Sequence, residues 1–138
     1  MSIEANKSVV RRFTKDFINT GNETVAEELI APDAVLHVPG KPELHGPAGY
    51  LQVVREMRGG FSDAQFTLED LLSEGNMVAA RFTMRGTHDG DFHGIPPSNR
   101  PFVVTSMVFS RIVDGKIAEG HGLPDILSIL KQMGALPL

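Results

Sequence analysis

Residues 102–121, FVVTSMVFSRIVDGKIAEGH, decide the fold. Val, Phe, Ile and Thr fill 102–113, the composition of a strand. Asp114-Gly115 has the chemistry of a tight hairpin turn, and Lys116–His121 supplies the returning strand. Alternation puts Phe102, Val104, Ser106, Val108 and Ile112 on one face and Val103, Met107, Phe109 and Val113 on the other. Both faces are apolar, so both are expected to be covered.

Working back from that hairpin, Met77–His88 and Gln65–Ser73 read as two more strands, joined through Glu74-Gly75-Asn76. Before residue 60 the period changes. Residues 3–19 carry Val9, Val10, Phe13 and Phe17 on one stripe, with Lys7, Arg11, Arg12 and Lys15 facing away, and Gly21 stops the helix. Asn22 caps a second helix that bears Val25, Ala26, Leu29 and Ile30 and ends at Pro32. Val35–Val38 is a brief strand. A third helix opens at Pro47, carries Tyr50, Leu51, Val54 and Met57, and closes at Gly59-Gly60. Beyond the hairpin, a helix opened by Pro124 carries Ile126, Leu127, Ile129 and Leu130, with Gly134 as its stop. The expected fold is α+β, a curved antiparallel sheet with three N-terminal helices and a short C-terminal helix. The helices cover one face of that sheet. The other face is expected to meet a second copy, giving a homodimer.

With 138 residues the chain fits one domain, 1–138. Its 13 Lys and Arg are outnumbered by 17 Asp and Glu and are scattered, which argues against a nucleic-acid partner. The absence of cysteine excludes disulfides, thiolate nucleophiles and cysteine-ligated zinc. MSIEANKSVVRRF has no uninterrupted apolar run, so no secretory signal is expected. No window approaches roughly 18 apolar residues, so no membrane partner is expected, and the assigned location is cytoplasmic.

The stretch THDGDFHGIPPSNRPF, 87–102, gathers His88, Asp89, Asp91 and His93. A metal centre needs converging ligands with fixed orientation. A glycine-rich strand-to-loop passage does not supply that, so no metal is assigned and the segment reads as a rim turn.

The same stretch resembles the SnoaL-like polyketide cyclases: a strand ending Gly86-Thr-His88, then Gly90-Asp-Phe92, Gly94-Ile-Pro-Pro97, a polar pair and Arg100. The hairpin Arg111–Ile117 is similar to the family's next turn. Leu123-Pro-Asp125 through Lys131-Gln-Met-Gly134 is similar to its closing helix. Phe17-Ile-Asn-Thr-Gly21 and Ala31-Pro-Asp33 also match, so the resemblance spans nearly the whole chain. It implies the cone of the nuclear transport factor 2-like superfamily, enclosing an apolar pocket for a small apolar, carbonyl-bearing ligand. It also implies ring closure by proton transfer, with neither metal nor cofactor.

By that resemblance, Gly122 stands where the family's proton-transferring aspartate belongs. Val108 stands at its supporting histidine and Ser106 at a glutamine. With that pair missing, His37 becomes the candidate base, since ketosteroid isomerase in the same superfamily carries its base at about this point, before a proline. Imidazoles exchange protons near neutrality. His121 and His88 are further catalytic candidates, although the parity of His121 directs it, with Glu119, away from the pocket. Ser106, Val108 and Gly122, with Phe13, Phe17, Tyr50 and Val54 from the helix stripes, are the candidate substrate-binding residues. The expected function is cofactor-free acid/base chemistry (cyclisation, isomerisation or dehydration) on an apolar or polyketide-like carbonyl compound. The alternative is a non-catalytic ligand-binding or dimeric interaction domain of the same fold.

Overall fold

A computed structural model gives the structure of residues 2–136. Helix α1, Ile3–Phe13, begins where Ser2 Oγ accepts from Ala5 N at 3.0 Å. It does not run on as α-helix to residue 19. Thr14–Ile18 form one π-helical turn, with Thr14 Oγ1 donating to Val10 O at 2.9 Å. Such turns occur often beside functional sites. Gly21, at φ 71°, ends the segment. Asn22 caps α2, Glu23–Leu29, accepting from Thr24 N at 2.9 Å.

Helix α2 ends three residues before Pro32, and β1 is longer than the apolar run predicts, Ile30–His37. Its register shifts between Ile30 and Val35, which lets Pro32 sit in a strand without breaking a ladder. A two-residue strand, β2 (Leu44–His45), escapes sequence reading because it has no pattern length. Helix α3, Gly46–Gly60, has Pro47 in its first turn. Four long strands follow: β3 Gln65–Glu74, β4 Met77–Thr87, β5 Pro101–Val113 and β6 Lys116–Pro124. Asp125 caps the closing helix α4, Ile126–Gln132, accepting from Ser128 N at 3.0 Å.

The six strands form one open sheet in the order β2-β1-β6-β5-β4-β3. The expectation of an all-antiparallel sheet is corrected here. β1 pairs with β6 in parallel, Leu36 beside Gly120 and His37 beside His121. The reason is topological: α2 delivers β1 to the free edge of β6, which a meander alone would leave unpaired. Register shifts at Leu68/Asp70 and Arg111/Ile112 bend the long strands.

One face of the sheet is covered. Val10, Phe17, Leu29, Tyr50, Val54, Phe82 and Ile117 belong to one buried cluster. Phe61, Met84, Phe102, Ile129 and Met133 belong to a second. Each fully buried Phe stabilises the fold by about 1.5–3 kcal/mol. The other face is uncovered in the single chain, with Val103 56%, Met107 50%, Phe109 56% and Leu123 64% exposed.

Candidate active site

Between the two clusters lies a cavity of about 180 Å³. Phe13 and Phe17 enter from α1 and its π turn, Tyr50, Val54 and Met57 from α3, Ile129 from α4, and Phe61 and Phe92 from the connecting segments. The sheet contributes Leu36, Ser106, Val108, Ser110 and Gly122. All seven residues expected to bind substrate therefore line one space. The period-2 rule explains the sheet side: Ser106, Val108 and Ser110 share a face of β5, and Gly122 pairs with Val108 across β5 and β6.

Away from its edge the lining is apolar apart from three hydroxyl-bearing residues, Tyr50, Ser106 and Ser110. Tyr50 Oη is buried and has no hydrogen-bond partner. Burial, with the charge of Glu119 adding to it, pushes its pKa upward, so the phenol stays protonated as a neutral donor. It packs against Gly120, where an added Cβ would lie 2.6 Å from Oη. A buried donor without a partner costs about 1–3 kcal/mol.

The ionisable groups of the lining gather at one edge: Lys41, Glu56 and His93. The Lys41 ammonium, bonded to Glu56, holds the Glu56 carboxyl below its usual range, and Gln52 and His93 act in the same direction. His93 sits at φ 50°, left-handed, with its ring 4.3 Å from that of Phe92. His93 falls in the stretch that the sequence marks as a rim turn, whereas Lys41 and Glu56 were not singled out. The signals are faint: a lysine in a loop, a glutamate beside the α3 stripe, and a histidine next to the buried Phe92.

The three expected catalytic histidines lie elsewhere. His37 alternates with Leu36 along β1, and Leu36 lines the cavity, so His37 stands on the opposite sheet face. There its Nε2 lies 2.9 Å from Glu119 Oε2, and its ring stacks on His121 at 4.3 Å. That hydrogen bond, with Arg111 behind it, holds the Glu119 carboxyl below its usual range. His37 faces outward together with His121 and Glu119 because the two strands are in register. His88 is fully buried off the cavity. Ser98 N donates to its Nδ1 at 3.1 Å, which puts the proton of the neutral ring on Nε2, unpartnered, and the ring meets Phe61 edge-on at 6.0 Å. It fastens the loop after β4. Asp89 bonds Ser62 and Asp91 bonds Gly94 N, so the acidic and imidazole groups of residues 88–93 do not converge.

The SnoaL-like polyketide cyclase family model matches residues 8–133. The chain is 35% identical over 133 residues to the aklanonic acid methyl ester cyclase of Streptomyces peucetius, covering 91% of this chain and 88% of that protein. It is 34% identical over 119 residues to the nogalonic acid methyl ester cyclase of Streptomyces nogalater, covering 84% and 88%. The solved structure of IdmH from Streptomyces antibioticus superposes with a TM-score of 0.83 at 34% identity, over 94% of this chain and 98% of that one. A SnoaL-like structure from Jannaschia Sp. CCS1 gives 0.90 at 22% identity over 99% and 97%, a likeness of fold alone. With the matched segment running from α1 to the end of α4, the chain belongs to the SnoaL-like polyketide cyclase family.

Proposed function

We propose that the cavity is the cone-shaped pocket of a cofactor-free enzyme that acts on an apolar, polyketide-like carbonyl compound by acid/base chemistry. One observation carries this: the buried, partnerless Tyr50 hydroxyl in a lining whose other polar groups are Ser106, Ser110 and the edge trio Lys41, Glu56 and His93. A substrate carbonyl is the acceptor it lacks, met when the Tyr50 ring shifts to open the hydroxyl to the cavity. On enolisation the negative charge develops on that oxygen, and a fixed neutral donor in a low-dielectric site stabilises the charge more than the ground state. Ser106 and Ser110 offer further hydroxyls along the sheet side.

His93 is the proton-transfer group in this reading. It replaces His37, because it is the imidazole among the lining residues and the Lys41–Glu56 pair flanks it. The family's own pair is taken to be missing at Gly122 and Val108. Ring closure is the favoured reaction, since the relatives named above are cyclases of aklanonic and nogalonic acid methyl esters. The test offers those esters to the wild type, Tyr50→Phe and His93→Gln. Loss of turnover with retained binding supports the assignment. Tight binding without turnover by the wild type would leave a ligand-binding module, the second reading, which the absence of a carboxylate or imidazole deep in the described lining favours.

The uncovered sheet face is assigned to a homodimer. Val103, Met107 and Phe109 of β5 and Leu123 of β6 present an apolar strip that a second copy would bury. For location, no helix among the described residues is long and apolar enough to cross a membrane, and the chain is assigned to the cytoplasm.

A further inference from the structure

We propose that His37, Glu119 and His121 form a binding site for a zinc-type first-row dication, on the sheet face away from the cavity. The site goes beyond the reading of the cavity and does not depend on it; it borders the strip assigned to the homodimer, with His121 beside Phe109, and is argued for the single chain.

The backbone brings the three together. His37 and His121 are register partners on the parallel strands β1 and β6. Glu119 lies two residues before His121 on the same strand and so projects from the same face. The rings stack 18° from parallel at 4.3 Å, and one ligand atom from each of the three side chains falls within 4.8 Å of the other two. A tetrahedral zinc ion with bonds of about 2.0–2.2 Å needs ligand atoms roughly 3.3 Å apart. The exposed His121 ring closes that gap by rotating, while His37 and Glu119 are half-buried and held.

The surroundings fix the ligands. Arg111 Nη2 lies 3.4 Å from Glu119 Oε1, which leaves Oε2, the oxygen facing His37, for the ion. Glu43 Oε2 lies 3.7 Å from His37 Nδ1, on the far side of the ring from Nε2. Drawn in to hydrogen-bond distance, a carboxylate behind a ligating histidine sets its tautomer and raises its basicity. Two imidazoles and one carboxylate suit zinc, copper or nickel; magnesium and calcium require oxygen ligands. Water completes the tetrahedron.

Zinc chloride titrated calorimetrically into the purified chain tests the site. One ion per chain is expected. His121→Ala, His37→Ala and Glu119→Gln should each weaken binding by more than roughly 100-fold, and Glu43→Gln by about tenfold, as for outer partners elsewhere. His93→Ala should bind zinc like the wild type, and magnesium should not bind. The histidine ring resonances of folded wild type should move on zinc addition for His37 and His121 and stay still for His88. Absence of zinc binding by the wild type, or binding that survives in both His37→Ala and His121→Ala, overturns the proposal.

Discussion

Val108 and Gly122 face each other across β5 and β6, and both line the cavity. A Cβ added at Gly122 meets no atom within 4 Å, and its backbone is not left-handed. Side chains opposite one another on paired strands have Cβ atoms about 4.5–5.5 Å apart, within reach of a hydrogen bond between them. The double variant Gly122→Asp/Val108→His therefore places a carboxylate and an imidazole together in open space. It should fold, and it should raise the rate of ring closure by roughly 10²–10⁴, the usual yield of a positioned base. Product formation from an aklanonic-type ester measures this. An unchanged rate in a folded, ligand-binding variant would mean that proton transfer at this strand pair is not limiting.

Tyr50→Phe should separate stability from activity. Removing a buried donor that has no partner is expected to leave stability unchanged or raise it by up to about 1–3 kcal/mol. The same change should lower turnover by about 10²-fold, the usual cost of one lost donor to a developing oxyanion. Denaturant unfolding and steady-state kinetics on one preparation read both. A fall in stability would show that the hydroxyl has a partner in solution.

Gly120→Ala tests the same hydroxyl from the strand side. Its Cβ would lie 2.6 Å from Tyr50 Oη and 3.6 Å from Cζ. Alone it should cost about 1–3 kcal/mol by overpacking. In the Tyr50→Phe background most of that cost should vanish, a coupling of about 0.5–3 kcal/mol in a double-mutant cycle. Equal costs in both backgrounds would place the hydroxyl elsewhere.

Acid should destabilise the chain partly through Asp89 and Asp125. Hydrogen bonds from the Ser62 side chain and backbone hold Asp89 below the usual carboxylate range, and Ser128 does the same for Asp125. A carboxyl whose pKa is lower folded than unfolded stabilises the fold above the unfolded value, about 3.9. That contribution disappears as pH falls through the lower folded value. Asp125→Asn keeps a capping side chain but removes the charge. The melting-temperature difference between wild type and Asp125→Asn should be full above about pH 5 and shrink below about pH 4. A difference that grows in acid would contradict the sign.

Phe109→Lys should convert the proposed homodimer to monomer, because Phe109 lies 56% exposed within the apolar strip of the outer face. Sedimentation velocity of both proteins over a range of concentrations decides it. A wild type that is monomeric throughout removes the dimer from the account.

Most of the fold was legible because its signals are local. The stripe of Phe13 and Phe17, the cap at Asn22, Pro47 and the Asp114-Gly115 turn each act within a few residues. The parallel pairing of β1 with β6 was not, since it joins residues some eighty positions apart and leaves no periodic mark. The same gap misdirected His37. Its parity along β1 is plain in the sequence, but which face meets the cavity depends on the partner strand. The lining residues of β5 and β6 were legible because the resemblance and the alternation agree on one face. His93 was legible as part of the rim turn but not as a lining imidazole, because loop geometry at φ 50° decides its direction.

The parallel union of β1 and β6 also governs the order in which the chain can mature. Ile30–His37 leaves the ribosome well before its sheet neighbour Lys116–Pro124, which lies some eighty residues further along the chain. Until then β1 can hold only the two-residue β2, too short a pair to be stable alone. The β3–β5 meander can assemble first, whereas the edge that bears His37 must wait until β6 has been made. Long-range closure of this kind slows folding and exposes an unpaired strand in the interval. Truncation after residue 115 would therefore leave β1 without its long partner as well as remove β6.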